Sequence, residues 1–358
     1  MRIGPWRLQN QLLSRRRFDS PSEVVTWFGA IQAQDYLGAL WALGSRTARA
    51  TEGTVQTALD EGSVIRTHGF RCTWQFVTPE DLGWMLALVG PRVIASAASR
   101  FREVGLDAKT LERSCELFAD ALADGQELTR AELSAVLSRR SIKSAGRLSH
   151  VLVHAELRGV ICSGARRGKQ STFALLSERA PKTKTLTREQ ALSELARKYF
   201  RSRGPATARD LAWWSGLPLR DVREAIELVK RKLDAETFDG QQYFWLGAAV
   251  ARGREPSVHL LPAFDEYLIA YQDRSACIDP SHVRSINAGG GILKPVVVSN
   301  GRVLGTWQRK LQKDAVFVSV RPLRKLLVNE RDAVAAAAER YAGFLGLPLS
   351  GRFERRGS

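Results

Sequence analysis

The chain carries, at residues 27–43, the run Trp-Phe-Gly-Ala-Ile-Gln-Ala-Gln-Asp-Tyr-Leu-Gly-Ala-Leu-Trp-Ala-Leu. Three polar residues, Gln32, Gln34 and Asp35, interrupt a segment that is otherwise almost wholly apolar. Buried amides and carboxylates are costly unless they are satisfied, so these groups need either a local partner or a chemical function. Residues two apart share a face only in extended backbone, so two glutamines that act on one ligand require a turn or a helix end here. The alternative, which composition alone favours, is that the amides cap or cross-link neighbouring elements.

The segments on either side of this run predict a winged helix-turn-helix unit. Upstream, Asp19-Ser20-Pro21 provides a cap followed by proline in the first turn, which opens a helix through Phe28. Downstream, a helical segment is followed by a run rich in Thr, Phe and Trp, from Val64 to Val77, which suits β structure. Helices followed by a β segment are the order of a winged helix, so residues 1–110 are predicted to form the first unit.

Residues 111–180 repeat this order more clearly. Thr129 and Glu132 have the spacing of a capping box that opens a short helix, and a second helix ends near Gly159. Two short strand-like runs then flank residues 164–170, which are Gly-Ala-Arg-Arg-Gly-Lys-Gln. These residues are predicted to form a second winged helix whose wing has a basic tip.

Residues 186–250 are predicted to form a third unit of the same kind. Within it, Thr207 and Asp210 have capping spacing, and Asp239-Gly240 is a typical hairpin turn. The order of helices and hairpin again matches a winged helix.

The remaining segment, residues 256–358, has a different pattern. Alternating strands are joined by the hairpin dipeptide Asn300-Gly301, and an alanine-rich helix follows at about 329–345. The predicted fold class is therefore α+β, with three tandem winged helix-turn-helix units followed by a small α+β C-terminal domain with a β-hairpin.

The charge balance indicates a polyanionic partner. The chain has 54 Lys and Arg against 37 Asp and Glu, which gives a formal net charge of +17. An excess of this size argues for nucleic acid, and 44% hydrophobic residues are enough for folded cores rather than a disordered basic tail. Double-stranded DNA is therefore the expected partner.

Composition also argues against several other classes of protein. No run of about 18 apolar residues predicts a membrane span, and the N-terminus lacks the pattern of a signal peptide, so a cytoplasmic, nucleoid-associated protein is expected. The four cysteines form no paired motif, and His150 and His154 lack a third ligand. No metal and no cofactor are predicted.

Two groups of residues are candidates for contacting DNA. The first is the basic wing, where Arg166, Arg167 and Lys169 could reach phosphates or the minor groove, unless the loop is simply a solvated hairpin tip. The second group lies on the C-terminal hairpin and comprises Lys294, Arg302, Trp307, Arg309 and Lys310. Most of the nine tryptophans are expected in cores, and Trp307 is the candidate for contacting bases.

The sequence resembles the tandem winged-helix DNA glycosylases of the AlkZ and YcaQ type, over nearly its whole length. Three stretches carry the resemblance: Gly29 to Asp35, which matches the family's Gln-apolar-Gln pattern, Arg66 to Leu82, and Leu261 to Arg274. The order of all three is specific, whereas any one of them alone is weak.

The resemblance implies that Gln32 and Gln34 carry the chemistry, with Asp35 as an auxiliary carboxylate that could equally be a helix cap or an ion-pair partner. It also implies that three side chains line the pocket: His68, Arg71 and Gln75. Gln75 stands where the family pattern has histidine, which leaves the substrate range open.

The implied activity is that of a monofunctional DNA glycosylase. An amide does not titrate, so glutamine cannot act as a general base in the usual sense. An N7- or N3-alkylated purine, however, is already a cationic leaving group. It needs a positioned water and a stabilised oxocarbenium-like sugar, which amide oxygens can provide. Bulky and interstrand-crosslinked forms of such lesions are included in the expected range.

A non-catalytic winged-helix DNA-binding protein, such as a transcription regulator, is the competing class. It explains the charge and the repeats equally well, but not the polar groups within residues 27–43. A regulator usually dimerises on a palindrome, whereas three different units in one chain favour a monomer.

Overall fold

The computed structural model describes residues 3–14, 18–143, 145–247 and 257–350. The predicted domain boundaries at 250 and 256 lie outside these residues. Within them, the apolar side chains gather in four clusters, and these clusters do not follow the predicted divisions of the chain.

The N-terminal unit contains a three-stranded sheet with the order β1-β3-β2. Ser20 caps α2 through a capping box with Glu23, and Pro21 occupies the first turn, as the sequence predicted. A 3-10 turn at Phe70–Cys72 separates β2 from β3. The elements are α1 (Ile3–Asn10), α2 (Pro21–Phe28), β1 (Ile31–Gln32), α3 (Tyr36–Gly44), α4 (Glu52–Asp60), β2 (Ile65–His68), β3 (Trp74–Val77) and α5 (Pro79–Glu103).

The second unit has a sheet of order β4-β6-β5 and its own hydrophobic cluster. Thr129 and Glu132 form the predicted capping box at the start of α7. The elements are α6 (Ala108–Leu122), β4 (Leu128–Thr129), α7 (Arg130–Arg139), α8 (Leu148–Leu157), β5 (Ile161–Ser163), β6 (Thr172–Leu175) and α9 (Leu176–Arg179).

The third unit has a two-stranded hairpin, and a bridge between Ala206 and Phe244 takes the position of its first strand. Thr207 and Asp210 form the predicted capping box of α11, and Gly216 ends that helix in the left-handed conformation at φ +73°. The elements are α10 (Arg188–Arg203), α11 (Ala208–Ser215), α12 (Leu219–Val229), β7 (Asp234–Phe238) and β8 (Gln241–Trp245).

The same element order therefore occurs three times in the described part of the chain. Each copy has a helix, a short strand or bridge, two further helices and a β-hairpin. The copies are α2-β1-α3-α4-β2-β3, α6-β4-α7-α8-β5-β6 and α10-bridge-α11-α12-β7-β8.

The C-terminal region is built on a five-stranded sheet of order β15-β14-β13-β12-β9, antiparallel except for the β14–β15 pair. Asn300 and Gly301, both at positive φ, form the turn between β12 and β13. The elements are β9 (Val258–Leu261), α13 (Glu266–Ile269), α14 (Val283–Ile286), β10 (Asn287–Gly289), β11 (Ile292–Leu293), β12 (Val296–Ser299), β13 (Arg302–Leu311), β14 (Val316–Pro322), α15 (Val328–Leu345) and β15 (Leu349–Ser350).

The N-terminal unit and the C-terminal sheet share one hydrophobic core. Residues of α2, α3 and α4 pack in the same cluster as residues of the sheet and of α15. At its centre, the Trp41 indole donates to the Leu260 carbonyl at 2.6 Å and lies 5.1 Å from the ring of Tyr341. These two regions, at opposite ends of the sequence, therefore form one packed body.

The long helix α5 links the units. Its first half, including Leu82, Trp84 and Met85, packs with apolar residues of the third unit. By length and composition alone α5 is also apolar enough to cross a membrane. That is weak support for a membrane span, because a core helix of a soluble protein meets the same criterion.

Candidate active site

Gln32 ends the edge strand of the first sheet, and Gln34 lies two residues further on, in the bend that leads into α3. Gln32 lies opposite Gln75 of β3, and one more backbone bond follows, from the Ala33 N–H to the Trp74 carbonyl at 2.7 Å. This is the turn before a helix at which two glutamines that act on one ligand were expected. The Gln32 side chain is 6% exposed, whereas Gln34 is exposed.

Each glutamine amide oxygen accepts one long hydrogen bond from the β2–β3 hairpin. The Arg71 guanidinium donates to Gln32 Oε1 at 3.4 Å, and the backbone N–H of Trp74 donates to Gln34 Oε1 at 3.3 Å. The amides thus cross-link neighbouring elements, which is what the alternative to a catalytic role predicts. An amide oxygen has two lone pairs, however, so each keeps acceptor capacity for a water molecule.

Asp35 occupies the N-terminal cap position of α3, but its side chain does not cap the helix. Its carboxylate makes no capping hydrogen bond to the helix, and it takes part in no ion pair among the residues that the structure describes. Within the described residues, Asp35 therefore shows neither the contact of a helix cap nor that of an ion pair. The carboxylate is half-buried and lies against Gly38, where a Cβ atom would crowd it.

A buried carboxylate from the C-terminal region holds the strand that carries Gln32. Glu266, 1% exposed, accepts the Gln32 backbone N–H through Oε1 at 2.9 Å. Its Oε2 accepts from Arg203 at 2.7 Å and from the Trp214 indole at 3.0 Å. Arg203 in turn donates to the Ala30 carbonyl at 2.6 Å. Two other parts of the chain thus fix the backbone on both sides of Ile31, and no local pattern in the sequence predicts this network.

His68 lies on β2 and Gln75 on β3, in the same sheet as β1. The His68 Nδ1 atom is 2.6 Å from Glu156 Oε2, and its ring lies 3.9 Å from that of Trp74. Burial raises the pKa of Glu156, although its hydrogen bond to His68 lowers it. Gln75 is 2% exposed, and its Oε1 atom has no hydrogen-bond partner among the residues that the structure describes.

Arg71 reaches the site from a sparsely populated backbone conformation. It lies in the 3-10 turn with φ +54° and ψ +26°, and the next residue, Cys72, has φ +60°. Left-handed backbone is uncommon for residues other than glycine and often occurs at functional sites. Burial lowers the pKa of Arg71. The three residues predicted to line the pocket therefore all lie on the β2–β3 hairpin, but only Arg71 contacts a catalytic candidate through its side chain.

Two further arginines lie beside the glutamines. Arg66 donates to the Ala33 carbonyl through Nε at 3.1 Å and through a terminal nitrogen at 3.0 Å, and its guanidinium lies 3.9 Å above the Trp74 ring. Burial lowers the pKa of Arg66 to about 10. Arg166, from the wing of the second unit, lies 4.6 Å above the ring of Tyr36. Sequence reasoning did not identify Arg66 as a site residue, because Arg66 and Ala33 are distant along the chain and come close only in the folded sheet.

The basic wing packs against the N-terminal unit. The backbone N–H of Arg166 donates to Asp60 at 3.0 Å, which fixes the loop beside α4. Arg167 is exposed but forms an ion pair with Glu132 at 3.0 Å, and Lys169 is exposed. Of the three predicted DNA contacts on this wing, Lys169 is therefore the most accessible charge.

The predicted role of Trp307 in contacting bases is wrong. Trp307 is 2% exposed, its indole donates to the Leu261 carbonyl at 2.7 Å, and its ring lies 5.1 Å from Tyr341. It belongs to the core shared with the N-terminal unit. Of its basic neighbours on β13, Lys310 is exposed, whereas Arg309, two positions along the strand, donates to the same Tyr341 that Trp307 contacts. Charged neighbours on a strand therefore do not show which face of the sheet is exposed.

The other C-terminal candidates do not meet at one hairpin tip. Arg302 and Lys310 are exposed, but they lie eight positions apart on β13, which corresponds to roughly 26 Å in an extended strand. Arg309 is half-buried and donates to the Tyr341 hydroxyl at 2.8 Å, and Lys294 donates to the Ser285 carbonyl at 3.0 Å.

The tip of the β12–β13 hairpin is also covered. A Cβ atom on Gly301 would overlap the backbone of Gly4, and the Tyr267 hydroxyl donates to the Gly301 carbonyl at 2.8 Å. Two other turns of the C-terminal region do lie at the surface, namely 289–291 between β10 and β11 and 312–314 between β13 and β14.

Among the described residues, no group of three His, Cys, Asp or Glu side chains is placed to hold a metal ion. His150 and His154 both lie edge-on to the ring of Phe101, at 6.2 and 5.7 Å, which is a packing arrangement.

Comparison with known proteins gives consistent results. The model of the family described as DNA glycosylase AlkZ-like matches residues 25–344. A protein of Streptomyces sahachiroi named interstrand DNA cross-link repair glycosylase is 27% identical, over 97% of each chain. The solved structure of the Streptomyces sahachiroi DNA glycosylase AlkZ superposes with a TM-score of 0.80, at 25% identity, and 97% of each chain is covered.

Proposed function

Since the chain belongs to the AlkZ-like DNA glycosylase family, we propose that it hydrolyses the N-glycosidic bond of cationic N7- and N3-alkylpurines in duplex DNA. The observation that carries this proposal is that the amide oxygens of Gln32 and Gln34 both lie against the β2–β3 hairpin, where each accepts one hydrogen bond and keeps a second lone pair. Asp35, whose carboxylate makes no helix cap, stands next to them.

The proposed reaction uses these groups to position one water molecule. The water oxygen forms a bond to C1′ of the sugar while the bond from C1′ to N9 of the purine breaks. The electron pair of the broken bond moves into the cationic base, which leaves as a neutral molecule. Amide oxygens face the positive charge that develops on the sugar, and Asp35 accepts the proton from the water. No covalent enzyme intermediate is required, which makes the enzyme monofunctional.

The proposed substrates include bulky adducts and interstrand crosslinks. The Streptomyces sahachiroi relative is named for crosslink repair, and it matches this chain over almost its full length. A crosslinked base cannot leave the duplex freely, so it needs an accessible site rather than an enclosed pocket. Gln34 is exposed, and two clefts elsewhere in the described structure, of about 610 and 290 Å³, are lined by other residues.

We propose that the three copies of the helix–strand–helix–helix–hairpin order act as winged-helix units of one monomer on duplex DNA, in the cytoplasm with the nucleoid. The net charge of +17 supports a DNA substrate. We propose that the exposed cations of the predicted set contact the phosphates directly. The half-buried members add positive charge beneath that surface. The accessible members are Arg167, Lys169, Arg302 and Lys310, and the half-buried members are Arg166, Lys294 and Arg309.

The activity is tested by single-turnover release of 7-methylguanine from methylated duplex DNA, with excess enzyme. Free base should accumulate together with an equal amount of alkali-labile abasic sites, because hydrolysis leaves the sugar in the strand. A duplex with an N7-linked interstrand crosslink is the second substrate. If the protein binds both duplexes tightly but releases base from neither, the glycosylase proposal fails and the DNA-binding regulator replaces it.

Replacing Lys169 with alanine is expected to weaken binding to duplexes of any sequence and to reduce the slope of log K against log salt concentration by about 1. Lys169 is exposed at the wing tip, so it is placed to neutralise one phosphate. Fluorescence anisotropy over a range of salt concentrations measures the slope. Lys109→Ala, at an exposed lysine of α6 outside the wing, is the matched control. An unchanged slope in Lys169→Ala would mean that the wing tip does not contact DNA phosphates.

A further inference from the structure

Two adjacent tryptophans on α11 have opposite environments. Trp214 is 3% exposed and packs in the core, where its indole donates to Glu266. Trp213 is 41% exposed, although its indole N–H donates to the Ile269 carbonyl at 3.1 Å. A large aromatic ring is thus held in a fixed position while much of its surface stays open to solvent.

The guanidinium group of Arg71 connects Trp213 to Gln32. The Cζ atom of Arg71 is 5.5 Å from the centre of the Trp213 ring, and a terminal nitrogen of the same group donates to Gln32 Oε1. Gly216 makes this approach feasible, since a Cβ there would come within 3.0 Å of the Arg71 side chain. The open ring is therefore part of the surface that surrounds Gln32.

A second arginine completes the surroundings of the ring. The Cζ atom of Arg274 is 5.9 Å from the ring centre, and its Nε atom donates to the Leu268 carbonyl at 2.7 Å. Both distances are near the outer limit of a cation–π contact. Arg66 lies much closer, 3.9 Å above Trp74, and covers that ring. The two guanidinium groups at Trp213 lie farther from the ring, and the residue stays 41% exposed.

Burial lowers the pKa of Arg71 and of Arg274, so both cations are held where water stabilises them incompletely. A π-rich ring with a phosphate attached would compensate for that loss, because the ring would stack on the indole and the phosphate would approach the cations. A nucleotide has this combination of groups. A scattered exposed tryptophan needs no explanation by itself, but a fixed ring with two cations near it, one of which contacts Gln32, does.

We propose that Trp213 is a stacking platform for a nucleobase of the substrate duplex next to the lesion, with Arg71 and Arg274 contacting the phosphates of that nucleotide. This proposal rests on the proposed function, and it identifies the residue of the glycosylase that contacts a base. Stacking would hold the strand open beside Gln32 and Gln34 while the lesion itself, even when crosslinked, stays in place. The base-contacting tryptophan is then on the third unit rather than on the C-terminal sheet.

The test uses a duplex that the enzyme cannot hydrolyse, so that binding is measured without turnover. A tetrahydrofuran abasic analogue takes the position of the lesion, and 2-aminopurine is placed on its 5′ side in one duplex and on its 3′ side in another. Wild type, Trp213→Leu and Trp213→Phe are compared for affinity and for the change in 2-aminopurine fluorescence. Circular dichroism and thermal unfolding verify that each variant is folded.

Trp27→Leu is the matched control. The Trp27 indole donates to the Asn10 carbonyl at 2.8 Å, and Arg201 lies 4.4 Å above its ring, so the local arrangement is similar. The cation beside Trp27, however, bonds to carbonyls of α2 rather than to Gln32.

Trp213→Leu is expected to weaken binding by about 10- to 100-fold and to lose the fluorescence change at one of the two positions. Trp213→Phe should keep most of both, because phenylalanine also offers a ring, and Trp27→Leu should resemble the wild type. If Trp213→Leu binds and responds like the wild type, the platform is excluded. Release of 7-methylguanine by the wild type is measured separately, so failure of the platform and failure of the glycosylase proposal give different results.

Discussion

Replacing both Gln32 and Gln34 with alanine is expected to lower the single-turnover rate of base release by about 10²–10³-fold. The two amide oxygens both lie at the β2–β3 hairpin, and their removal takes away the groups that are proposed to hold the water and face the developing positive charge. The backbone contacts of the strand remain, since Glu266 holds the Gln32 N–H and Ala33 pairs with Trp74. The variant should therefore stay folded and still bind DNA.

The rate is measured with enzyme in excess over methylated duplex, at a concentration that saturates binding in every variant. Gln241→Ala/Gln242→Ala removes two exposed amides from β8 and serves as the control for the loss of two glutamines. Asp35→Asn in the same assay separates the carboxylate from the amides. Base release by Gln32→Ala/Gln34→Ala at the rate of the control would mean that these glutamines only cross-link the sheet.

Replacing Glu266 with glutamine is expected to lower the rate of base release by about 100-fold, although Glu266 is not placed to touch the substrate. The carboxylate accepts from both the Gln32 backbone and the buried Arg203, and one amide oxygen cannot serve both donors. The strand is then held less precisely, and a displacement of about 1 Å is enough for a loss of this size. Removing one partner of a buried pair also costs about 3–5 kcal/mol of stability.

The neighbouring residue provides a matched control for that stability cost. Asp265 is equally buried, and its carboxylate pairs with the buried Arg46 through bonds of 2.7 and 2.8 Å. Arg46 also donates to carbonyls of Gln11 and Ala42, not to the strand that carries Gln32. Asp265→Asn should therefore lose similar stability while its rate stays close to that of the wild type.

Both variants are compared at a temperature where circular dichroism shows each to be folded. Trp214→Phe, which removes only one neutral donor from Glu266, should show a smaller loss of rate. Equal loss of rate in Glu266→Gln and Asp265→Asn would show that Glu266 acts through general stability and not through positioning.

The parts of the fold that the sequence predicted well depend on local signals. Ser20 with Glu23, Thr129 with Glu132 and Thr207 with Asp210 are three residues apart, and each pair forms the capping box that its spacing indicates. The turn or helix end expected at the glutamines is local in the same sense, because Gln34 lies in the bend directly before α3.

The parts that could not be predicted depend on contacts between distant residues. Glu266 is 234 positions from Gln32, and neither residue type nor spacing indicates that they meet. Trp213 and Trp214 are adjacent, and only the packing of α11 decides which ring is buried. Trp307 was misplaced because charged neighbours on a strand do not reveal which face of the sheet is covered, and here α15 covers the face that carries Trp307.

The core shared by α2–α4 and the C-terminal sheet has a consequence for synthesis of the protein. When a ribosome has made the first 110 residues, the apolar surface around Trp41 that packs against β9 and α15 is still uncovered, because these two elements are translated much later. Contacts of such large sequence separation form late in folding. A chaperone that shields these side chains on the nascent chain would therefore protect the enzyme when it is most exposed to aggregation. Translation that stops before β9 would yield a product that lacks both Glu266 and half of this core.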